Sequence, residues 1–296
     1  MDSNNEFFEK EIYRLLTGAL KIFNNFTYIH CNDYSIEYDL EHKDYKLLKE
    51  KYNLINIAGD GDDFSKSINI MKWVSNNVLH NGMNKDISNV QCDALSILDY
   101  AFGKGINFGL VCRHQAIVFT ECCLALGLPA RTIHCLPYSP YDFETHVVSM
   151  VYLKELNKWG MFDSTNNAYF VNNDGIILSP LEARYYLGQY YLGIDQIKTN
   201  DDIKMDINHY KLYMAKNLFY IKYWAKNTLG TDLVQNQKTY YLVPLGFDVK
   251  EREIAYCEYA IKNCIEIYKD EWIEGLEKIK KQKVTIVSER QFLSIP

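Results

Sequence analysis

A change of hydrophobic period at Gly127 constrains the fold of this chain more than any other sequence feature. The segment from Cys112 to about Leu126 is typical of an apolar helix, and Gly127 and Pro129 provide the signals that end one. Three short segments rich in β-branched and aromatic residues follow, and they predict strands. They cover residues 130–136, 145–153 and 159–163. A helix followed by consecutive strands predicts an α+β fold.

The other segments predict helices around these strands and a less regular C-terminal third. Helices are predicted at residues 6–23, 66–80, 92–103, 180–190, 252–268 and 270–281. Strands are predicted at 26–31, 239–244 and 283–288, mixed structure at 209–226, and a polar, acidic loop at 32–63. The sequence thus predicts an N-terminal segment at 1–63, a core at 64–196, and a C-terminal elaboration of the same domain at 197–296.

Charge and hydropathy argue against several classes of partner. The net charge of −6 argues against nucleic acid as a partner, and the single basic run, at 278–283, is interpreted as a solvated helix end. No apolar stretch is long enough to cross a bilayer, and the first residues lack the basic and apolar regions of a signal peptide. We therefore expect a cytoplasmic protein with no membrane partner.

The eight cysteines are scattered through apolar segments, which favours reduced thiols over disulfides. They are Cys31, Cys92, Cys112, Cys122, Cys123, Cys135, Cys257 and Cys264. No Cys-x-x-Cys pair occurs among them, so the sequence predicts no structural zinc site, and no motif indicates a cofactor.

One cysteine has the partners that nucleophilic catalysis requires. Cys112 stands at a predicted helix N-terminus, where the helix dipole favours the thiolate, which is the reactive form. His146 follows 34 residues later on a predicted strand, and Asp163 follows 17 residues after that on the next strand. A histidine can take the thiol proton, and a carboxylate can orient the imidazole. These spacings predict a Cys112–His146–Asp163 triad.

The segments that carry these residues resemble the transglutaminase-like superfamily, in a bacterial-type form. The resemblance extends over roughly residues 68–170 and rests on four motifs in order. They are Phe108-Gly-Leu-Val-Cys112-Arg-His, Leu126-Gly-Leu-Pro-Ala-Arg131, Thr145-His146-Val-Val and Lys158-Trp-Gly-Met-Phe-Asp163-Ser-Thr165. The resemblance implies a papain-like fold with Cys112 as nucleophile, His146 as base and Asp163 as orienting carboxylate. Two departures are Gly109, three residues before the cysteine instead of two, and Ser164 in place of proline.

The accessory residues of such a site are less defined by the sequence. Gln91 and Asn107 are the amides that could help to bind an oxyanion. Arg113 is interpreted as a residue of the cleft rim or a solvated cation, and Trp159 as a shield for the His–Asp pair or a core residue. Arg131, which follows the helix exit, is expected in an ordinary surface ion pair.

The predicted chemistry is acyl transfer from an amide through a thioester on Cys112. The acyl acceptor is either an amine, as in a transglutaminase, or water, as in a peptidase or a peptide N-glycanase-like amidase. The substrate is expected to be a peptide, a protein or a small amide. The alternative is a non-catalytic binding module that retains the fold. A hydrogen bond between His146 and Asp163 is a structural requirement of the enzymatic hypothesis.

Overall fold

The computed structural model describes residues 3–26, 30–82, 90–104, 109–263, 269–281 and 283–296. Its α-helices are α1 (Ser3–Ile22), α2 (Tyr45–Tyr52), α3 (Leu54–Ala58), α4 (Asp63–Asn77), α5 (Ala94–Lys104), α6 (Cys112–Ala125), α7 (Pro180–Gln189), α8 (Ile207–Asn217), α9 (Val249–Asn263), α10 (Lys269–Lys281) and α11 (Glu289–Phe292). Its strands are β1 (Glu37–Tyr38), β2 (Ala130–Leu136), β3 (His146–Leu153), β4 (Lys158–Phe162), β5 (Phe170–Val171), β6 (Lys198–Thr199), β7 (Tyr220–Trp224), β8 (Lys226–Asn227), β9 (Thr239–Leu242) and β10 (Thr285–Ile286).

A six-stranded mixed sheet forms the centre of the fold, in the order β10-β9-β7-β2-β3-β4. The pairs from β9 to β4 are antiparallel, and β10 pairs with β9 in parallel. The strands β2 to β4 come from the predicted core, and β7, β9 and β10 come from the C-terminal third. The α+β prediction is confirmed, and the fold is consistent with a papain-like arrangement.

Helix α6 packs along one face of this sheet. It begins at Cys112, directly after the extended Val111, and ends before Gly127, whose φ of 80° is the left-handed conformation that glycine adopts most readily. Ser149 of β3 fastens the helix to the sheet, because its Oγ donates to the carbonyl of Ala116 at 3.1 Å and accepts from Thr120 Oγ1 at 2.8 Å. The helix start that the sequence predicts is therefore confirmed.

The opposite face of the sheet is covered by residues that the sequence left poorly assigned. Val148 and Met150 of β3 pack there in one apolar cluster with Tyr210 and Met214 of α8. Side chains alternate along a strand, so β3 directs Ser149 towards α6 and its two neighbours towards α8. The sheet is therefore buried on both faces.

The predicted acidic loop at 32–63 is wrong, because α2 and α3 lie within it. Each of these two helices buries one side against the core helices, with Leu48 and Leu54 fully inaccessible to solvent. Both helices are short, and charged residues dilute their apolar pattern, which explains why the sequence indicates a loop. The predicted strand at 26–31 falls partly outside the described residues, and Phe26 makes an isolated bridge to Pro244.

Arg131 is not in a surface ion pair, and this expectation is also wrong. Its guanidinium lies 4.7 Å from the ring centroids of Trp159, Tyr223 and Phe292, and the side chain is fully buried. It donates to the hydroxyl of Tyr38 at 3.2 Å and to the carbonyl of Phe292. Three aromatic faces thus replace the carboxylate partner by cation–π attraction.

A search of the helices in the described ranges finds none with the length and apolar character needed to cross a membrane.

Candidate active site

The start of α6 is held by a close contact between two chain segments. Leu110 donates its N–H to the carbonyl of Leu79 at 2.6 Å and accepts from the N–H of Asn81 at 2.8 Å. Gly109 lies so close to this segment that an added Cβ would be 2.6 Å from Asn81 Cβ and 2.7 Å from its backbone nitrogen. A glycine is therefore required two residues before Val111, and the contact fixes where Cys112 begins the helix.

We expect Gly109→Ala to lower the free energy of unfolding by about 1–3 kcal/mol, because the new methyl group must push the backbone of Asn81 away. The same displacement should slow alkylation of Cys112. Urea unfolding and the rate of iodoacetamide labelling measure the two effects. Gly103→Ala in α5 is the matched control, since nothing lies within 4 Å of the added Cβ there. An unchanged stability of Gly109→Ala would contradict the assigned contact.

His146 and Asp163 lie on the same face of the sheet, opposite α6. Ser149 pairs with Phe162 across β3 and β4, and these two side chains point towards α6. His146 is three residues before Ser149 and Asp163 is one after Phe162, so alternation places both on the other face. There His146 Nε2 and Asp163 Oδ2 are 2.7 Å apart, and each side chain is 1% exposed.

The carboxylate of Asp163 is surrounded by N–H donors from the turn that follows it. Its Oδ1 accepts from the backbone N–H of Thr165 at 3.0 Å and of Asn166 at 3.2 Å, and its Oδ2 accepts from Asn166 Nδ2 at 3.0 Å. Burial by itself raises the pKa of the Asp163 carboxyl, but the charge of His146 and these hydrogen bonds outweigh it and hold the pKa below its ordinary value. Asp163 is therefore an anion at neutral pH.

His146 lies between this anion and Cys112. Burial by itself lowers the pKa of His146, but Asp163 and, to a smaller extent, Cys112 outweigh it and raise the pKa to about 10. Because Nε2 is bonded to Asp163, Nδ1 is the nitrogen left for the thiol, and it has no hydrogen bond of good geometry among the described residues. Cys112 itself is partly exposed. The arrangement favours an imidazolium at His146, beside a cysteine side chain that solvent can reach.

Tyr210 and Tyr213 of α8 cover the His146–Asp163 pair, and the sequence analysis did not predict either of them. The ring of Tyr213 meets the ring of His146 edge to face, with centroids 5.0 Å apart. Burial and, next, the negative charge of Cys112 raise the pKa of Tyr213, and burial and Asp163 raise that of Tyr210. Both hydroxyls therefore stay protonated at neutral pH. No motif distinguishes these two among 24 tyrosines.

On the other side of Cys112, Arg113 forms an ion pair that was also not predicted. Its Nε donates to Asp232 Oδ2 at 2.5 Å, and Trp224 Nε1 donates to Asp232 Oδ1 at 2.6 Å. The side chain of Asp232 is 1% exposed and that of Arg113 is 41% exposed. Arg113 is therefore a partly exposed residue with a fixed partner from the C-terminal third.

Of the remaining accessory candidates, Gln91 and Trp159 lie in the described residues. Gln91 is exposed in the loop before α5, and Asn107 lies outside the described residues. Trp159 is four residues before Asp163, about 13 Å along the strand. It packs against Arg131 and donates from Nε1 to the carbonyl of Ser294 at 3.1 Å, as a core residue does. Within the described ranges, no three His, Cys, Asp or Glu side chains are grouped to hold a metal ion.

Three comparisons with known proteins give a family match and a similar solved structure. A model of the transglutaminase-like superfamily matches residues 54–164, which include Cys112, His146 and Asp163. Among solved structures, the chain is similar to a candidate cysteine protease from Cytophaga hutchinsonii, with 23% sequence identity and a TM-score of 0.31. That similarity covers 49% of this chain and 43% of the other, so this chain spans less than half of the protein it matches. Comparison with curated proteins gives no match. The family match therefore applies to residues 54–164, which are similar to the transglutaminase-like superfamily.

Proposed function

We propose that this protein is a cysteine-dependent enzyme that opens an amide bond through a thioester on Cys112. The observation that carries the proposal is the position of His146, buried between the anionic Asp163 and a partly exposed Cys112 at the first residue of α6. A histidine so placed raises the population of the thiolate, which is the nucleophilic form of cysteine.

In the proposed mechanism, His146 takes the proton of the Cys112 thiol, and the thiolate attacks the carbonyl carbon of the substrate amide. The carbonyl oxygen becomes an oxyanion near the N-terminus of α6, where the N–H of Cys112 has no acceptor within the helix. The imidazolium then gives its proton to the leaving amine as the C–N bond breaks. Water or a second amine, losing a proton to His146, attacks the thioester and releases Cys112.

The substrate class that we propose is a peptide or a protein, with a small amide as the alternative. We propose that residues 197–296 belong to the same domain as the core. This is supported by the strands β7 and β9 that they add to its sheet, by Tyr213 beside His146, and by Asp232 beside Arg113. Analysis of the reaction products distinguishes an amine from water as the acyl acceptor.

We expect iodoacetamide to label Cys112 rapidly at pH 6–7, below the free thiol pKa of about 8.5, since His146 stabilises the thiolate. The measurement is the rate of mass gain against pH, with the modified residue mapped by peptide digestion. Labelling at low pH should disappear in Cys112→Ala and fall in His146→Ala.

Cys92 provides the matched control for this labelling. It is also partly exposed, but burial raises the pKa of its thiol, so it should react slowly at neutral pH. Cys92→Ala should therefore keep the rapid phase. If Cys112 reacts no faster than Cys92 over the whole pH range, the protein is a non-catalytic binding module and the proposed function is wrong.

A further inference from the structure

A second cavity, of about 600 Å³, lies beside the Arg113–Asp232 ion pair. Asp232 and Trp224 form part of its wall, Tyr241 lies further along, and α10 contributes the side opposite the sheet. The volume is within the range of pockets that hold a ligand of several residues or a drug-sized molecule. Nothing in the proposed mechanism uses this cavity.

The cavity is lined by lysines. Lys222, Lys238, Lys278 and Lys283 face it, and the two carboxylates in its wall are already engaged. Asp232 is paired with Arg113 at 2.5 Å, and Glu253 is paired with Arg252 at 3.0 Å. Among the described side chains, none of the four lysines forms an ion pair with a carboxylate. Four lysines against two carboxylates give the lining a net positive charge. The carboxylates of Glu253 and Asp232 still act on Lys222, and Lys238 Nζ donates to the carbonyl of Asp33 at 2.7 Å.

The lysines of the basic run at 278–283 differ in their surroundings. Lys280 and Lys281 lie 3.8 Å and 3.7 Å from Glu277 on the exposed side of α10. Lys278 and Lys283 line the cavity. All four lysines are exposed, as expected of a solvated helix end, and two of them also line the cavity.

Lys222 is the lysine that lies deepest in this arrangement. Its Nζ is 5.2 Å from the ring centroid of Trp224 and 6.0 Å from that of Tyr241. Burial lowers the pKa of Lys222, because it disfavours the charged ammonium. A bound anion would stabilise the ammonium and raise this pKa again. The rings of Trp224 and Tyr241 and the ammonium of Lys222 thus lie side by side. Together they suit a peptide that has both apolar and negatively charged side chains.

The cavity and Cys112 are connected through one residue. Arg113 follows Cys112 in α6, and its side chain touches Asp232 in the cavity wall. The cavity wall is thus in direct contact with the residue that follows the proposed nucleophile.

We propose that this lysine-lined cavity is a substrate subsite that binds acidic side chains of the peptide whose amide Cys112 attacks. The inference rests on the proposed function for its link to Cys112, but the binding itself does not require catalysis. Positive potential in a concave site concentrates anionic ligands and speeds their association. The enzyme should therefore favour acidic peptides over neutral ones.

The test uses the full chain with Cys112→Ala, so that binding is measured without turnover. Three dye-labelled hexapeptides of equal length, rich in Glu, Gln or Lys, are titrated by fluorescence anisotropy. We expect the Glu peptide to bind at least about tenfold more tightly than the Gln peptide, and this preference to weaken with added salt. Lys278→Gln with Lys283→Gln should remove most of the preference.

The matched control is Lys280→Gln with Lys281→Gln, which removes the same charge from the same segment but outside the cavity. This control should keep the preference for the Glu peptide. Equal binding of the Glu and Gln peptides, or equal losses in the two double variants, would overturn the subsite. Binding of inorganic phosphate without binding of the Glu peptide would overturn it in favour of a small-anion site. Peptide binding combined with slow alkylation of Cys112 in the unmodified protein would instead retain the subsite and reject the proposed catalysis.

Discussion

Replacing Cys112 with alanine is expected to lower kcat for amide cleavage by ~10⁴-fold or more, because no other group can form the thioester. The side chain is small and partly exposed, so we expect the free energy of unfolding to change by less than about 1 kcal/mol. The assay supplies a glutamine peptide and a Glu-containing peptide, with and without an amine donor, and follows ammonia release and product mass.

Cys92→Ala is again the control, because it removes a partly exposed thiol without touching the proposed nucleophile. It should retain the activity of the unmodified protein. Incorporation of the amine identifies a transferase, whereas a free acid or a cleaved peptide identifies a hydrolase. Full activity of Cys112→Ala would remove the basis of the mechanism.

The parts of the site that are local in sequence could be predicted from it. Gly127 and Pro129 end α6 after a helix whose first residue is Cys112, and β-branched residues mark the strands that carry His146 and precede Asp163. Each of these signals acts within a few residues. Side-chain alternation in two neighbouring strands then places His146 and Asp163 on one face.

The parts that depend on long-range packing could not be predicted. Tyr213 reaches His146 only because α8 packs on the sheet, and Asp232 reaches Arg113 from a loop 119 residues later in the chain. Glu121 shows the same limitation inside the core. It is fully buried on α6, and its carboxylate accepts the N–H groups of Ala94 at 2.7 Å and Gly230 at 2.8 Å. It joins the catalytic helix to the loop that carries Asp232, and no short motif contains that information.

Arg131 shows how a strong general tendency can mislead. Arginine is mostly exposed in proteins, so a surface ion pair is the ordinary expectation. Here the strand β2 directs it into a cluster formed by Trp159, Tyr223 and Phe292, which come from three separate segments. Burial of the cation depends on that cluster, and the local sequence around Arg131 does not indicate it.

Asp163→Asn is expected to lower kcat by ~10²–10⁴-fold and to move the basic limb of the pH–activity profile to lower pH. The asparagine keeps the size of the side chain but removes the negative charge, which is the main cause of the raised pKa of His146. In the unmodified protein the imidazolium should persist until the pH approaches about 10. Without the anion it should lose its proton nearer to the ordinary histidine pKa of about 6.5.

The matched control is Asn166→Ala, which removes the hydrogen bond from Asn166 Nδ2 to Asp163 Oδ2 but leaves the charge of Asp163 in place. Its basic limb should stay close to that of the unmodified protein. If Asp163→Asn and Asn166→Ala share the same pH profile, Asp163 only orients the ring and does not stabilise the imidazolium.

The His146–Asp163 ion pair also makes the free energy of unfolding depend on pH. The direction of each pKa shift determines whether this free energy rises or falls with pH. The pKa of His146 is higher in the folded than in the unfolded chain, so its contribution is complete below about pH 6.5 and is lost as the pH rises through about 10. The pKa of Asp163 is lowered on folding, so its contribution is present above the unfolded pKa of about 3.9 and is lost as the pH falls through the folded pKa.

Urea unfolding of the unmodified protein should therefore show a decline in the free energy of unfolding between pH 7 and 10. In Asp163→Asn that decline should be much smaller, because His146 no longer gains a charged partner on folding. Equal declines in the two proteins would assign the loss of stability to other groups and would separate the pH dependence of folding from the His146–Asp163 pair.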